Sequence, residues 1–126
     1  MRHKMNRYKL GRPTDQRLAL VRNQTANLFL HGHVNTTLPR AKAVRRLAEK
    51  LITRAKRGDL ASVRLCAKQL PGKPSLKALL RTVAPALEDV SSGYTHIAKL
   101  KQRRGDGALI VRLSLRNYPT TEDQKS

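Results

Sequence analysis

Arg103-Arg104-Gly105-Asp106-Gly107, followed by Ala108-Leu109-Ile110-Val111-Arg112-Leu113-Ser114-Leu115, is the stretch that decides the fold class. Leu109, Val111, Leu113 and Leu115 alternate with Ile110, Arg112 and Ser114, the period of a strand with one buried face. The five residues before it contain two glycines free to take positive φ, so they read as a hairpin loop. Tyr94 to Gln102 supplies the other arm of the hairpin. Sheet at the C-terminal end has to be reconciled with helical spacing almost everywhere upstream.

That upstream region divides cleanly. Thr14 or Asp15 is a credible N-cap for a first helix, whose stripe is Leu18, Val21, Thr25, Leu28 and Phe29 and whose end is Gly32. His33 to Thr37 is β-branched enough for a short strand. Pro39 suits the first turn of a second helix, with Val44, Leu47, Ala48, Leu51, Ile52 and Ala55 inward and an end near Arg57. Gly58-Asp59 stops that helix and caps the next, Leu60 to about Leu70, with Val63, Cys66, Ala67 and Leu70 inward. After the turn Pro71-Gly72-Lys73-Pro74, a fourth helix begins near Ser75, carries Leu76, Leu79, Leu80 and Val83 in phase, and is limited by Pro85. The sequence thus predicts a two-layer α+β fold. A small mixed sheet, made of one short strand plus the C-terminal hairpin, is covered by about four helices. The expected organisation is an extended basic arm over 1–13, a single globular domain over 14–116, and a polar tail over 117–126.

Charge points to the partner. The chain has 126 residues and a formal net charge of +19. Its first 58 residues hold fifteen Lys and Arg against two acids, Asp15 and Glu49, so thirteen of the nineteen excess charges lie there. Arg2, His3, Lys4, Arg7, Lys9 and Arg12 precede the first acid altogether. Such a leader repels itself and buries little, so a polyanion is the natural means of ordering it. Arg17 and Arg22 carry the same charge into the first helix. On the second helix Lys42, Arg46, Lys50 and Arg57 lie opposite the core stripe, with Arg45 and Lys56 on a flank. Arg103 and Arg104 add two guanidiniums in the hairpin loop, where exposed N–H groups could also meet phosphate. With only Tyr8, Phe29, Tyr94 and Tyr118 as aromatics, recognition by stacking on single-stranded bases is disfavoured. Phosphate contacts and shape remain.

Other chemistry is poorly provided for. Cys66 stands alone, which excludes an internal disulfide and a cysteine-built zinc site. The histidines 3, 31, 33 and 96 are scattered, and Glu88-Asp89 is unaccompanied, so no metal, cofactor or catalytic dyad is expected. No apolar run is long enough to span a membrane, and a soluble cytoplasmic protein is expected. A DNA-binding nucleoid or regulatory protein is the alternative, because Arg57-Gly58-Asp59 joins two helices with the short turn of a helix-turn-helix. Its second helix, however, offers only Arg64 and Lys68 and opens on an acid.

Several motifs occur in one order: Met1-Arg2-His3, Leu10-Gly11-Arg12-Pro13-Thr14-Asp15-Gln16-Arg17, Ala19 with Arg22-Asn23, and His31-Gly32 with Thr36-Thr37. Ala41-Lys42-Ala43, Glu49-Lys50-Leu51-Ile52-Thr53, Ala55-Lys56-Arg57-Gly58-Asp59-Leu60, Gly93-Tyr94-Thr95 and Arg103-Arg104-Gly105-Asp106 follow. Together they resemble the bacterial large-subunit ribosomal protein L-seventeen family over residues 1 to 115. The resemblance implies an α+β domain and a structural role on large-subunit ribosomal RNA near the peptide exit tunnel. Neighbouring ribosomal proteins would be the other partners, with no catalysis, cofactor, membrane or small-molecule substrate. It also implies RNA contacts from Arg2, His3, Arg12, Arg17, Arg22, Lys42, Arg103 and Arg104. Ser92 before Gly93, His96 where arginine is usual, and the Arg112-Leu113-Ser114-Leu115 ending depart from the pattern.

Overall fold

Leucine- and alanine-rich helical spacing does become helix, and the hairpin does become sheet. The computed structural model describes residues 14–91 and 93–118. The basic arm, the side chains of the expected cap residues Thr14 and Asp15, and residues 119–126 lie outside what is described. Helix α1 (Thr14–His31) leads into strand β1 (His33–Thr37), then α2 (Leu38–Arg57) and α3 (Leu60–Gln69). Next come α4 (Lys73–Ala78), a π-helical stretch (Leu79–Val83) and a single turn α5 (Ala84–Ala86). Strands β2 (Thr95–Gln102) and β3 (Leu109–Leu115) close the order.

The sheet runs β1-β3-β2, and both pairings are antiparallel. This corrects the mixed sheet predicted from sequence: β1 comes from far upstream, yet it pairs head to tail with β3, Val34 opposite Leu113 and Thr36 opposite Val111. The C-terminal strand is therefore central. Its inward residues Val111, Leu113 and Leu115 are buried against Phe29 and Leu28 of α1 and Val44, Ala48, Leu51 and Ile52 of α2, all in one core.

Local chemistry sets the helix ends. Pro39 opens α2 and Gly58, at φ +74°, ends it in the left-handed conformation that glycine accepts cheaply. Asp59 caps α3, its carboxylate accepting from the Ser62 N–H at 3.3 Å and the Ser62 hydroxyl at 2.7 Å. That capping draws Ser62 inward, so Ser62 is buried and Ala67, expected inside, is exposed. Leu18 is likewise exposed, at 41%. The fourth helix starts at Lys73, with Pro74 in its first turn. It does not stop before Pro85. Proline offers no N–H to the Arg81 carbonyl and crowds it. The rod instead widens, the Ala84 N–H reaching Leu79 O, and continues one more turn.

Packing extends to Tyr118, two residues past the expected domain boundary at 116. The Tyr118 hydroxyl donates to the carbonyls of Phe29 (3.1 Å) and Leu30 (2.8 Å). Its ring covers Gly32, where φ is +85° and an added Cβ would stand 2.6 Å from the ring. Gly32→Ala is expected to cost about 2–3 kcal/mol through left-handed strain and overpacking. Urea unfolding of the variant, alone and combined with Tyr118→Ala, measures how much comes from that contact.

Candidate nucleic-acid interface

Two links tie α2 to the sheet. At one end Thr37, the residue before α2, lies in the same row of the sheet as Ile110 and Lys101. At the other, the Thr95 hydroxyl donates to Glu49 Oε2 at 2.8 Å. Between them the helix advances about 16 Å while β2 runs about 20 Å the other way, so α2 crosses the sheet from its β1 side toward the start of β2. Residues three, four and seven before Glu49 share its face. These are Arg46, Arg45 and Lys42, all exposed, on the side of the sheet to which the exposed Lys99, paired with the inward Val111, also belongs. The strand then delivers Arg103 and Arg104 in the hairpin loop. The start of α2 and the hairpin loop thus leave the sheet at the same end.

Further round α2, Arg46, Glu49, Lys50, Thr53, Arg54 and Arg57 line an open groove of about 490 Å³. Four of the six are cations, and the single carboxylate is already engaged by Thr95. Lys56 does different work. Its ammonium bonds to the Val90 carbonyl and sits 4.9 Å over the Tyr94 ring, fastening the connection before β2 to the helix.

The acid of the hairpin loop is also occupied. Arg103 donates from Nε (3.2 Å) and Nη2 to the two oxygens of Asp106, whose Oδ1 also accepts from the Ala108 N–H at 3.1 Å. The fork bond from Arg103, and then the Ala108 amide, hold the Asp106 carboxyl down from the ordinary 3.8 to about 2, and Asp106 raises Arg103 in return. A depressed carboxyl contributes above its ordinary pKa and loses that contribution as pH falls through its folded value. The loop contact should therefore be intact above about pH 4 and lost toward about pH 2. A carboxyl NMR titration checks this. Asp106→Asn should speed amide exchange over 103–107 without a measurable change in global stability, since exposed ion pairs contribute little.

The remaining residues fall as follows. Arg2, His3, Lys4, Arg7, Lys9 and Arg12 lie outside the described residues. Arg17 is half-buried, and its Nε has no hydrogen-bond partner among the described residues. Arg22 spends its Nε on Gln69 Oε1 at 3.1 Å, tying α1 to the end of α3. Lys42, Arg45, Arg46 and Lys50 are all exposed, as is Arg104. Sequence reasoning missed Lys99, Lys101 and Arg54. Tyr94 to Gln102 read as strand, but nothing local revealed the bulge that puts Lys99 and Lys101 on opposite faces.

The helix-turn-helix alternative gains nothing from the geometry. The N-terminus of α3 presents the Asp59 carboxyl, lowered chiefly by the Ser62 hydroxyl bond and thus ionised, next to Leu60, which is 65% exposed. That end repels phosphate. Cys66 is buried, its thiol pushed up by desolvation against a smaller opposing influence of Arg54, and is unsuited to reactivity. Among the described residues no group of three His, Cys, Asp or Glu could hold a metal. No described helix is long and apolar enough to cross a membrane.

Comparison with known proteins gives the family. A family model described as ribosomal protein L17 matches residues 20–116. A relative in Clostridium acetobutylicum, named large ribosomal subunit protein bL17, is 50% identical over 107 residues, 85% of this chain and 94% of its own. Proteins of the same name from Coprothermobacter proteolyticus and Finegoldia magna are similar too. The first is 44% identical over 116 residues, covering 90% of this chain and 99% of its own. The second is 43% identical over 120 residues, covering 95% and 92%. With the family model covering residues 20–116 and the relatives matched over most of both chains, the chain belongs to the ribosomal protein L17 family.

Proposed function

We propose that this chain is a structural, non-catalytic constituent of the large ribosomal subunit, held on ribosomal RNA mainly by phosphate contacts from Arg and Lys. Translation in the cytoplasm is its setting. The observation that carries the reading is the joint surface of α2, the β2 edge and the hairpin loop. Lys42, Arg45, Lys50, Lys99 and Arg104 are exposed there, while Glu49 and Asp106 are engaged within the protein. A surface whose acids are satisfied internally offers its cations to an external polyanion.

Within the same proposal, Arg2, His3, Lys4, Arg7, Lys9 and Arg12 form an RNA-bound arm over 1–13, ahead of a domain over 14–116 and a tail over 117–126. Arg17 and Arg22 extend the contact from α1, with Arg22 acting partly through its bond to Gln69. Arg103 contributes once RNA competes with Asp106. Neighbouring large-subunit proteins are the other partners, and no small-molecule substrate is involved.

Filter binding of the full chain to large-subunit RNA across a salt series tests the reading. A protein neutralising about six to ten phosphates loses roughly 10³- to 10⁵-fold in affinity between about 50 and 200 mM salt. A flat dependence would contradict it.

A further inference from the structure

The outer face of the sheet is turned away from α2, and no described element covers it. Register sets three rows across it: His33, Ser114 and His96; Asn35, Arg112 and Ala98; Thr37, Ile110 and Lys101. Lys101 reaches this face because a bulge at Leu100 reverses the alternation of β2. No carboxylate occurs among these residues, whereas ordinary solvated faces intersperse both signs.

At the centre stands Arg112, on the middle strand. Its Nε donates to Asn35 Oδ1 at 3.0 Å, which fixes the guanidinium plane and leaves the two Nη groups for a ligand. That is the fork which meets two phosphate oxygens at once. Thr37 and Ser114 place hydroxyls to either side. Beyond His33 and Asn35 the face opens into a groove of about 490 Å³, shared with Gln24, Asn27 and His31 of α1. Gln24 donates to Thr36 Oγ1 at 3.3 Å, and its buried Oε1 has no hydrogen-bond partner among the described residues.

We infer that this face is a second RNA-docking surface, anchored by Arg112, which takes the sugar–phosphate backbone of a segment other than the one lying on α2. The inference rests on the ribosomal RNA reading above and gives the protein a bridging role between two segments. A second copy of a chain with net charge +19 would be repelled from the face. A protein partner would want a cluster of apolar or aromatic anchors, and the rows hold only the half-buried Ala98 and Ile110, with the exposed Leu100 standing singly at the edge-strand bulge. A single backbone could serve both surfaces only by turning around the β2 edge.

Hydroxyl-radical footprinting and filter binding of the full chain on large-subunit RNA test the assignment. Arg112→Gln with Lys101→Gln should weaken binding about 10-fold at ~0.1 M salt and make the salt slope shallower by about 1 to 2. It should lose protections distinct from those lost when the α2 cations are neutralised. Arg112→Lys, which keeps the charge but not the fork, should lose about 3-fold. Unchanged thermal midpoints exclude misfolding as the cause. Wild-type affinity and footprint in the double variant would overturn the inference, including the case where a reconstituted particle instead loses a neighbouring protein. Loss of the same protections as in the α2 variant would overturn it too, by making the two surfaces one. Absence of any protection by the unaltered protein would overturn the ribosomal RNA reading itself.

Discussion

Neutralising Lys42, Arg45, Arg46 and Lys50 together, each to Gln, should weaken binding to large-subunit RNA by a factor of several hundred. The four side chains are exposed on one side of α2, so their removal leaves the core stripe untouched. An exposed cation facing a phosphate contributes about 0.7–1 kcal/mol near a solvated surface. Four such contacts amount to roughly 3–4 kcal/mol, and each 1.4 kcal/mol is a factor of ten. The salt slope should become shallower by about 3, since each neutralised phosphate contributes about 0.7–0.9. Arg64→Gln with Lys68→Gln on α3 is the matched control and should change affinity little. Filter binding of both variants at several salt concentrations reads the difference. Equal losses from the two helices would mean that affinity follows net charge rather than this surface.

The largest effect on stability is expected at Phe29. It is fully buried between α1, α2 and the sheet, and its carbonyl receives the Tyr118 hydroxyl. Phe29→Ala removes a ring from a packed interior and leaves a cavity, a change that costs about 3–5 kcal/mol. Domains of this size have about 5–15 kcal/mol in total, so the variant should be marginal when isolated. Urea unfolding with an unchanged slope and a much lower midpoint is the expected outcome. Phe29→Leu should retain most of the stability. A loss below about 1 kcal/mol in the alanine variant would contradict the placement of this ring.

Much of the fold was legible because its elements are short, punctuated and periodic. Gly32, Pro39, Gly58 and Asp59 each stop or start an element for a local steric or hydrogen-bonding reason, and β1 falls on His33–Thr37 as read. The hairpin was visible in the alternation of β3. What escaped was set by contacts between distant residues or by how a helix answers strain. Pro85 read as a terminator, but the rod absorbed it by widening over Leu79–Val83. Ala67 read as core, but the face of α3 that packs inward carries Ser62, Cys66 and Leu70 instead. Antiparallel entry of β1 could not be deduced from β1 alone.

The site was legible as charge but not as shape. Lys42, Arg45, Arg46 and Lys50 announced themselves by the near-absence of acids. Lys99 and Lys101 did not, because the bulge that puts them on opposite faces of β2 shows only in its pairing with β3. Arg103 and Asp106 sit close in sequence, yet only the folded loop makes them a fork. Arg112 looked like one polar residue in an alternating strand, and its meaning came from Asn35, 77 positions away.

Ultracentrifugation of large ribosomal subunits purified with the tagged chain present, followed by a high-salt wash, tests the central claim most directly. The unaltered chain is expected to remain with the large-subunit peak at about one copy, while the four-fold α2 variant is depleted from it. A chain that leaves the particle in the first wash, or that stays equally well without its α2 cations, would contradict the account.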